Sequence, residues 1–195
     1  MIAALPITPP LTLDRSPAIL HGPAMSAISL LRARTRAAHD VVDAAFGAFG
    51  LQSASEYRRF LAAHARALSV CEPIAARVWP DLRPRLPLIA QDLLALGTPF
   101  GPVGLPADPP ADEAAAWGAL YVVEGSRLGG GMLAQRVAAD LPRAYLSAVH
   151  RPGEWRAIRA AIDVAGEGRD ATWHTALVDG AMAVFARYEA AAQEA

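Results

Sequence analysis

The run LRARTRAAHDVVD, residues 31–43, gathers on one helix-forming stretch the residue types that hold a metal and an anion. His39 offers an imidazole, the commonest side-chain ligand for transition metals. Asp43 follows one helical turn later, where its carboxylate can take the second ring nitrogen and fix the tautomer of a ligating histidine. Arg32 comes two helical turns before His39, about 20° off the same line and about 10 Å along the axis. A cation there suits an anionic group on a ligand whose metal sits at His39. Arg34 and Arg36 are read as solvated face charges.

Leu31, Thr35, Ala38, His39, Val42 and Phe46 recur at helical spacing, so His39 is expected on the apolar side of its helix. A lone histidine in such a stripe is more often a hydrogen-bonded core residue than a ligand, and Asp43 and Arg32 are what argue for the ligand role. His64 is the rival, on a stripe with Tyr57, Phe60, Leu61, Leu68 and Cys71. It has no carboxylate one turn away, and it is read as a core histidine. His21, His150 and His174 are given no role.

A second stretch, LYVVEGSRLGGGMLAQRV at 120–137, carries Gly125, Gly129, Gly130 and Gly131 between strong helix formers. Each interior glycine costs a helix about 1 kcal/mol relative to alanine, so four cost about 4 kcal/mol. A phosphate loop is a poor account, because no Lys-Ser or Lys-Thr follows and no strand precedes. Three readings stay open. The glycines let another helix pack closely, or they end one helix before the next, or they kink a helix whose bare backbone lies against a flat ligand.

The elements that must position these residues all read as helices. Patterned segments cover 26–46, 54–79 with Pro73 expected to bend it, 85–96 ending at Gly97, 111–141, 151–166 and 171–193. Residues 97–112 read as a Gly/Pro-rich loop. With no alternating strand pattern and no internal repeat, the expected fold is all-α, a single-domain helical bundle. The proline-interrupted residues 1–24 are expected to be a disordered tail and 25–195 the domain, with Met25 an alternative start.

Composition narrows the function. A net charge of −1 argues against nucleic acid, which needs clustered cations. The single cysteine, Cys71, excludes an internal disulfide and is read as a small buried hydrophobe. No run matches a membrane span or a secretory signal, so the expected location is cytoplasmic. The chain contains no lysine, which speaks against a phosphotransfer bundle with an exposed histidine beside lysine.

Taken together, the two stretches resemble the heme oxygenases. LRARTRAAHDVVD is similar to the helix that carries the axial histidine in that family, and YVVEGSRLGGGML to the glycine-bearing helix that passes over the other face of the heme. The order and separation match, the similarity covers about residues 27–193, and the wording is nearest to bacterial members, including those associated with bacteriophytochromes. The resemblance implies heme sandwiched between the two helices. His39 would ligate the iron, Asp43 would support it, and Arg32 and Tyr121 would meet the propionates. Gly125, Gly129 and Gly130 would form the wall of the oxygen side. Phe185 would line the pocket from the last helix, where an ordinary core phenylalanine serves as well. Arg127 stands where mammalian members have an aspartate; its side chain is expected either to face solvent or to take part in catalysis. The implied reaction uses O2 and electrons from an external reductase or ferredoxin to convert heme to biliverdin, Fe2+ and CO, with a bacteriophytochrome as one consumer. The alternatives are a non-catalytic heme carrier or sensor on the same fold, and a structural helical interaction bundle.

Overall fold

The structure is a computed structural model that describes residues 25–98 and 112–195. Seven helices occur among them: α1 (Ala27–Gly47), α2 (Ala54–Ala76), α3 (Leu86–Ala95), α4 (Glu113–Gly125), α5 (Arg127–Ala134), α6 (Glu154–Gly166) and α7 (Ala171–Gln193). No strand is present among the described residues, so the fold is all-α. The tail expected at residues 1–24 lies outside the described residues, as does most of the 97–112 loop.

Local signals set several of the ends. Ser26 caps α1 by accepting from the Ser29 amide at 3.3 Å, and Asp112 and Asp170 cap α4 and α7 in the same way. Gly97 follows α3 with φ +75°, a backbone conformation that costs glycine little. Pro73 lies inside the last turns of α2, and the helix continues to Ala76.

The core is the apolar face of α2, with Tyr57, Phe60, Leu61 and Leu68 fully buried, packed against α4 and α7. The α4–α7 crossing is close. A Cβ on Gly118 would collide with the Leu177 carbonyl, and one on Gly180 with the Ala115 carbonyl. Two glycines thus let the two backbones touch, which side chains of any size would forbid. The first turn of α1 is tied to α6, where the Ile28 amide donates to Asp163 Oδ1 at 2.9 Å.

The run expected as one helix over 111–141 is two helices, interrupted at Ser126 and ending at Ala134. Residues 135–153 are turns and irregular chain. Two causes are visible. Pro142 cannot continue a helix. The buried Asp92 carboxylate accepts the Ala144 and Tyr145 amides, each at 2.9 Å, and so gives this irregular backbone its hydrogen-bond partners.

Candidate heme-binding cleft

On α1 the one-turn spacing places His39 Nδ1 3.2 Å from Asp43 Oδ2. With Nδ1 directed to that carboxylate, Nε2 is the nitrogen left to take a ligand. Both side chains are more exposed than the sequence pattern predicts, 60% for His39 and 69% for Asp43. The apolar stripe of α1 is buried only in its first half, at Ala27, Ile28, Leu31 and Thr35. Beyond Thr35 the stripe is only half-buried, with Ala38, Val42 and Phe46 packed on the core, while the exposed imidazole meets the fold at Phe185, edge-on, with ring centres 6.1 Å apart. Phe185 itself is buried in the core on α7. An exposed histidine with its tautomer fixed is what a ligand site needs and what a core histidine is not.

Two turns earlier on the same helix, Arg32 is exposed. It lies close enough to Tyr121 on α4 to favour the ionised phenol, as does Arg159 on α6. Burial outweighs both cations and holds the Tyr121 hydroxyl above its usual range, where it stays a proton donor; the Thr35 hydroxyl is its hydrogen-bonding neighbour. The structure places Arg32 near Tyr121, the two residues the resemblance matches to carboxylate contacts, and adds Arg159, which carries no sequence signal that sets it apart from its neighbours on α6.

Tyr121, Gly125 and Gly129 share one face across α4 and α5, and Leu128 and Met132 flank it, 51% and 70% exposed. At Gly129 a Cβ would meet nothing within 4 Å, so the backbone there is bare. At Gly125 the same position is 3.7 Å from the Trp155 ring. Gly130 is a correction: it is turned the other way, buried, with the Leu146 carbonyl 3.0 Å from where a Cβ would stand. Gly131 likewise faces Val149. The adjacent glycines thus do two jobs. Gly130 and Gly131 admit the 146–149 loop, and Gly129 leaves a bare surface toward open space.

Arg127 is a second correction. It neither reaches solvent nor joins the Gly125–Gly129 face; it is 2% exposed behind the bend. Its guanidinium pairs with Glu124 at 2.9 Å and donates to the carbonyls of Arg83 at 2.8 Å and Ala148 at 2.9 Å. The charge is buried because these acceptors satisfy it. His150 Nε2 completes the cluster 3.0 Å from Glu124 Oε2, and burial lowers its pKa despite that carboxylate. Arg85, also buried, donates to Ser126 Oγ at 2.9 Å and to the Val123 carbonyl at 2.6 Å. Glu72 accepts the Arg85 and Leu86 amides at 2.7 and 3.2 Å. Two buried arginines thus hold the helix interruption in place from behind. Sequence reasoning missed Arg85, Glu72 and Glu124, because charged residues are expected outside unless their partners are known.

His64 is a core histidine, as the sequence suggests. Its Nδ1 is 3.0 Å from the Phe60 carbonyl, and Phe46, Phe60, Tyr145 and Tyr188 surround its ring. Burial pulls its pKa down to about 3. Among the described residues no group of three His, Cys, Asp or Glu side chains gathers as a metal cage. A metal at His39 would have to bring its other ligands with it, which a porphyrin does. The residues present fit such a group: one free imidazole nitrogen, a bare helix backbone, apolar Leu128 and Met132, and two cations beside Tyr121 for carboxylates. No helix among the described residues is long and apolar enough to cross a membrane.

Known proteins resemble this chain in the same sense. It is 35% identical over 114 residues to a heme oxygenase of Xanthomonas campestris pv. campestris, an alignment spanning 54% of this chain and 66% of that protein. Its fold matches the solved NO- and CO-bound heme oxygenase from Neisseria meningitidis with a TM-score of 0.71 and 25% identity, over 88% of this chain and 92% of the other. No family model matches the chain.

Proposed function

Since the chain belongs to the heme oxygenase family, we propose that it binds heme between α1 and the bent pair α4–α5 and converts it, with O2 and externally supplied electrons, to biliverdin, Fe2+ and CO. The observation that carries this reading is the exposed His39–Asp43 pair on one element and the bare Gly129 backbone on another. Bound heme would supply the iron that activates O2 and the ring that is opened.

The chain's own residues do the rest. His39 Nε2 would hold the iron, with Asp43 keeping the imidazole in the ligating tautomer. Arg32 and Arg159 would meet the propionates beside the Tyr121 hydroxyl. Gly129 would let the α5 backbone lie against the ring, with the apolar side chains of Leu128 and Met132 beside it. Arg127 and Arg85 act as positioning residues by holding the bend at Ser126, not by touching O2. Phe185 braces the His39 ring. Electrons come from a separate reductase or ferredoxin, and a bacteriophytochrome is a fitting consumer of the product; a cytoplasmic setting would suit both. A carrier or sensor is the second reading, favoured by one feature: with Arg127 turned away, the Gly125–Gly129 face has no charged side chain to organise water.

Hemin added to the purified chain should give a histidine-ligated Soret band that decays to biliverdin absorbance when a reductant is supplied in air. His39→Ala should abolish that band and His64→Leu should keep it. A stable band under turnover would establish the carrier reading instead, and loss of the band only in His64→Leu would move the ligand to the core.

A further inference from the structure

The glycine face of α4–α5 is unequal along its length. Gly129 has nothing within 4 Å of a Cβ position, whereas at Gly125, one turn earlier, the Trp155 ring stands 3.7 Å away. A flat ligand can lie on the backbone at Gly129 but meets an indole edge at Gly125. That indole is held on two sides. Tyr121 lies at 6.0 Å with planes tilted by 34°, and the His150 ring is stacked on it at 5.6 Å and 21°. His150 in turn is fixed by Glu124, which is 2% exposed and paired with Arg127. Swinging the indole aside would cost its stack on the His150 ring, which Glu124 holds in place.

We propose that Trp155 is the specificity-determining residue of the cleft, the stop that sets which edge of a tetrapyrrole lies against α4, with His150 as the residue that positions it. This rests on the heme-binding reading above. Arg32 and Arg159 beside Tyr121 provide an attachment for carboxylates, and a single charged attachment leaves a ring free to turn and to flip. Trp155 supplies a second, rigid and apolar point of reference. Protoporphyrin places methyl and vinyl groups differently at its edges, so the two flipped seatings present unlike groups to the indole. The same stop would select the ring carbon that is opened, because that carbon is fixed by how the ring sits over Gly129.

The test uses the full chain loaded with hemin, as wild type, Trp155→Leu and Trp155→Ala. Leucine keeps much of the buried volume and guards against simple unfolding. The Soret band reports binding, and the heme methyl proton resonances of the ferric cyanide complex report the seating without any turnover. Both variants are expected to keep the Soret band and to change the ratio of seatings by about threefold or more, equivalent to about 0.7 kcal/mol. The isomer composition of the product should shift with it. A variant that binds hemin with the wild-type pattern of methyl resonances overturns the proposal and leaves the heme-binding reading standing. A wild-type chain that forms no heme complex overturns both.

Discussion

Individual side chains in this protein separate cleanly into those whose position follows from spacing and those whose position follows from distant partners. The His39–Asp43 contact belongs to the first kind, because one helical turn brings the two together whatever else folds. The exposure of His39 belongs to the second. An apolar stripe tells which side of α1 faces its neighbours, not how deeply each position on that side is covered. Arg127 is of the second kind as well: Glu124 is its neighbour by spacing, but the carbonyls of Arg83 and Ala148 that complete its burial are not readable as partners from sequence. Gly129 is where the two kinds can be told apart by experiment. Its Cβ position is open, so Gly129→Ala should stabilise the ligand-free chain by about 0.5–1 kcal/mol through helix propensity alone. The added methyl would stand where the proposed ligand lies, and hemin affinity should fall by roughly tenfold, the worth of 1.4 kcal/mol. Thermal melting without hemin and a hemin titration measure the two halves; a variant that binds hemin as well as wild type would show that Gly129 does not face the ligand.

Helices were legible wherever periodicity was strong, from the about three turns of α3 to the about six of α7. Boundaries were legible where a local signal announced them, as at Gly97. The break at Ser126 is held by Arg85 and by the distant carbonyls that Arg127 reaches, and the irregular chain after Ala134 by Asp92, all of them partners remote in sequence. The glycines show the same division. The run at 129–131 stood out in the sequence, yet the glycines that govern helix packing are Gly118 and Gly180, each isolated in an ordinary helical run. Gly118→Ala would press a methyl against the backbone of Leu177 and Ala181, which no rotamer change can relieve. We expect it to destabilise the fold by about 2–3 kcal/mol or more, read as a fall in midpoint in urea with an unchanged slope. An unchanged midpoint would mean that α4 and α7 can separate at little cost.

For the molecule as a whole, the buried imidazole of His64 ties stability to pH. Its folded pKa, about 3, lies below its ordinary 6.5, so the fold favours the neutral ring. A group depressed in this way contributes stability in full above its unfolded pKa and loses it as pH falls below about 6.5 toward about 3, where the unfolded chain binds the proton first. The melting temperature of the wild type should therefore drop more steeply than that of His64→Leu as pH is lowered from 7 to 4. Parallel profiles would show that the ring is protonated within the fold. The α4–α7 crossing has a different consequence. Where two backbones rest on each other through Gly118 and Gly180, neither rod can slide or roll past the other, and the joint behaves as a weld. Any change in spacing around that frame has to come from elements other than α4 and α7.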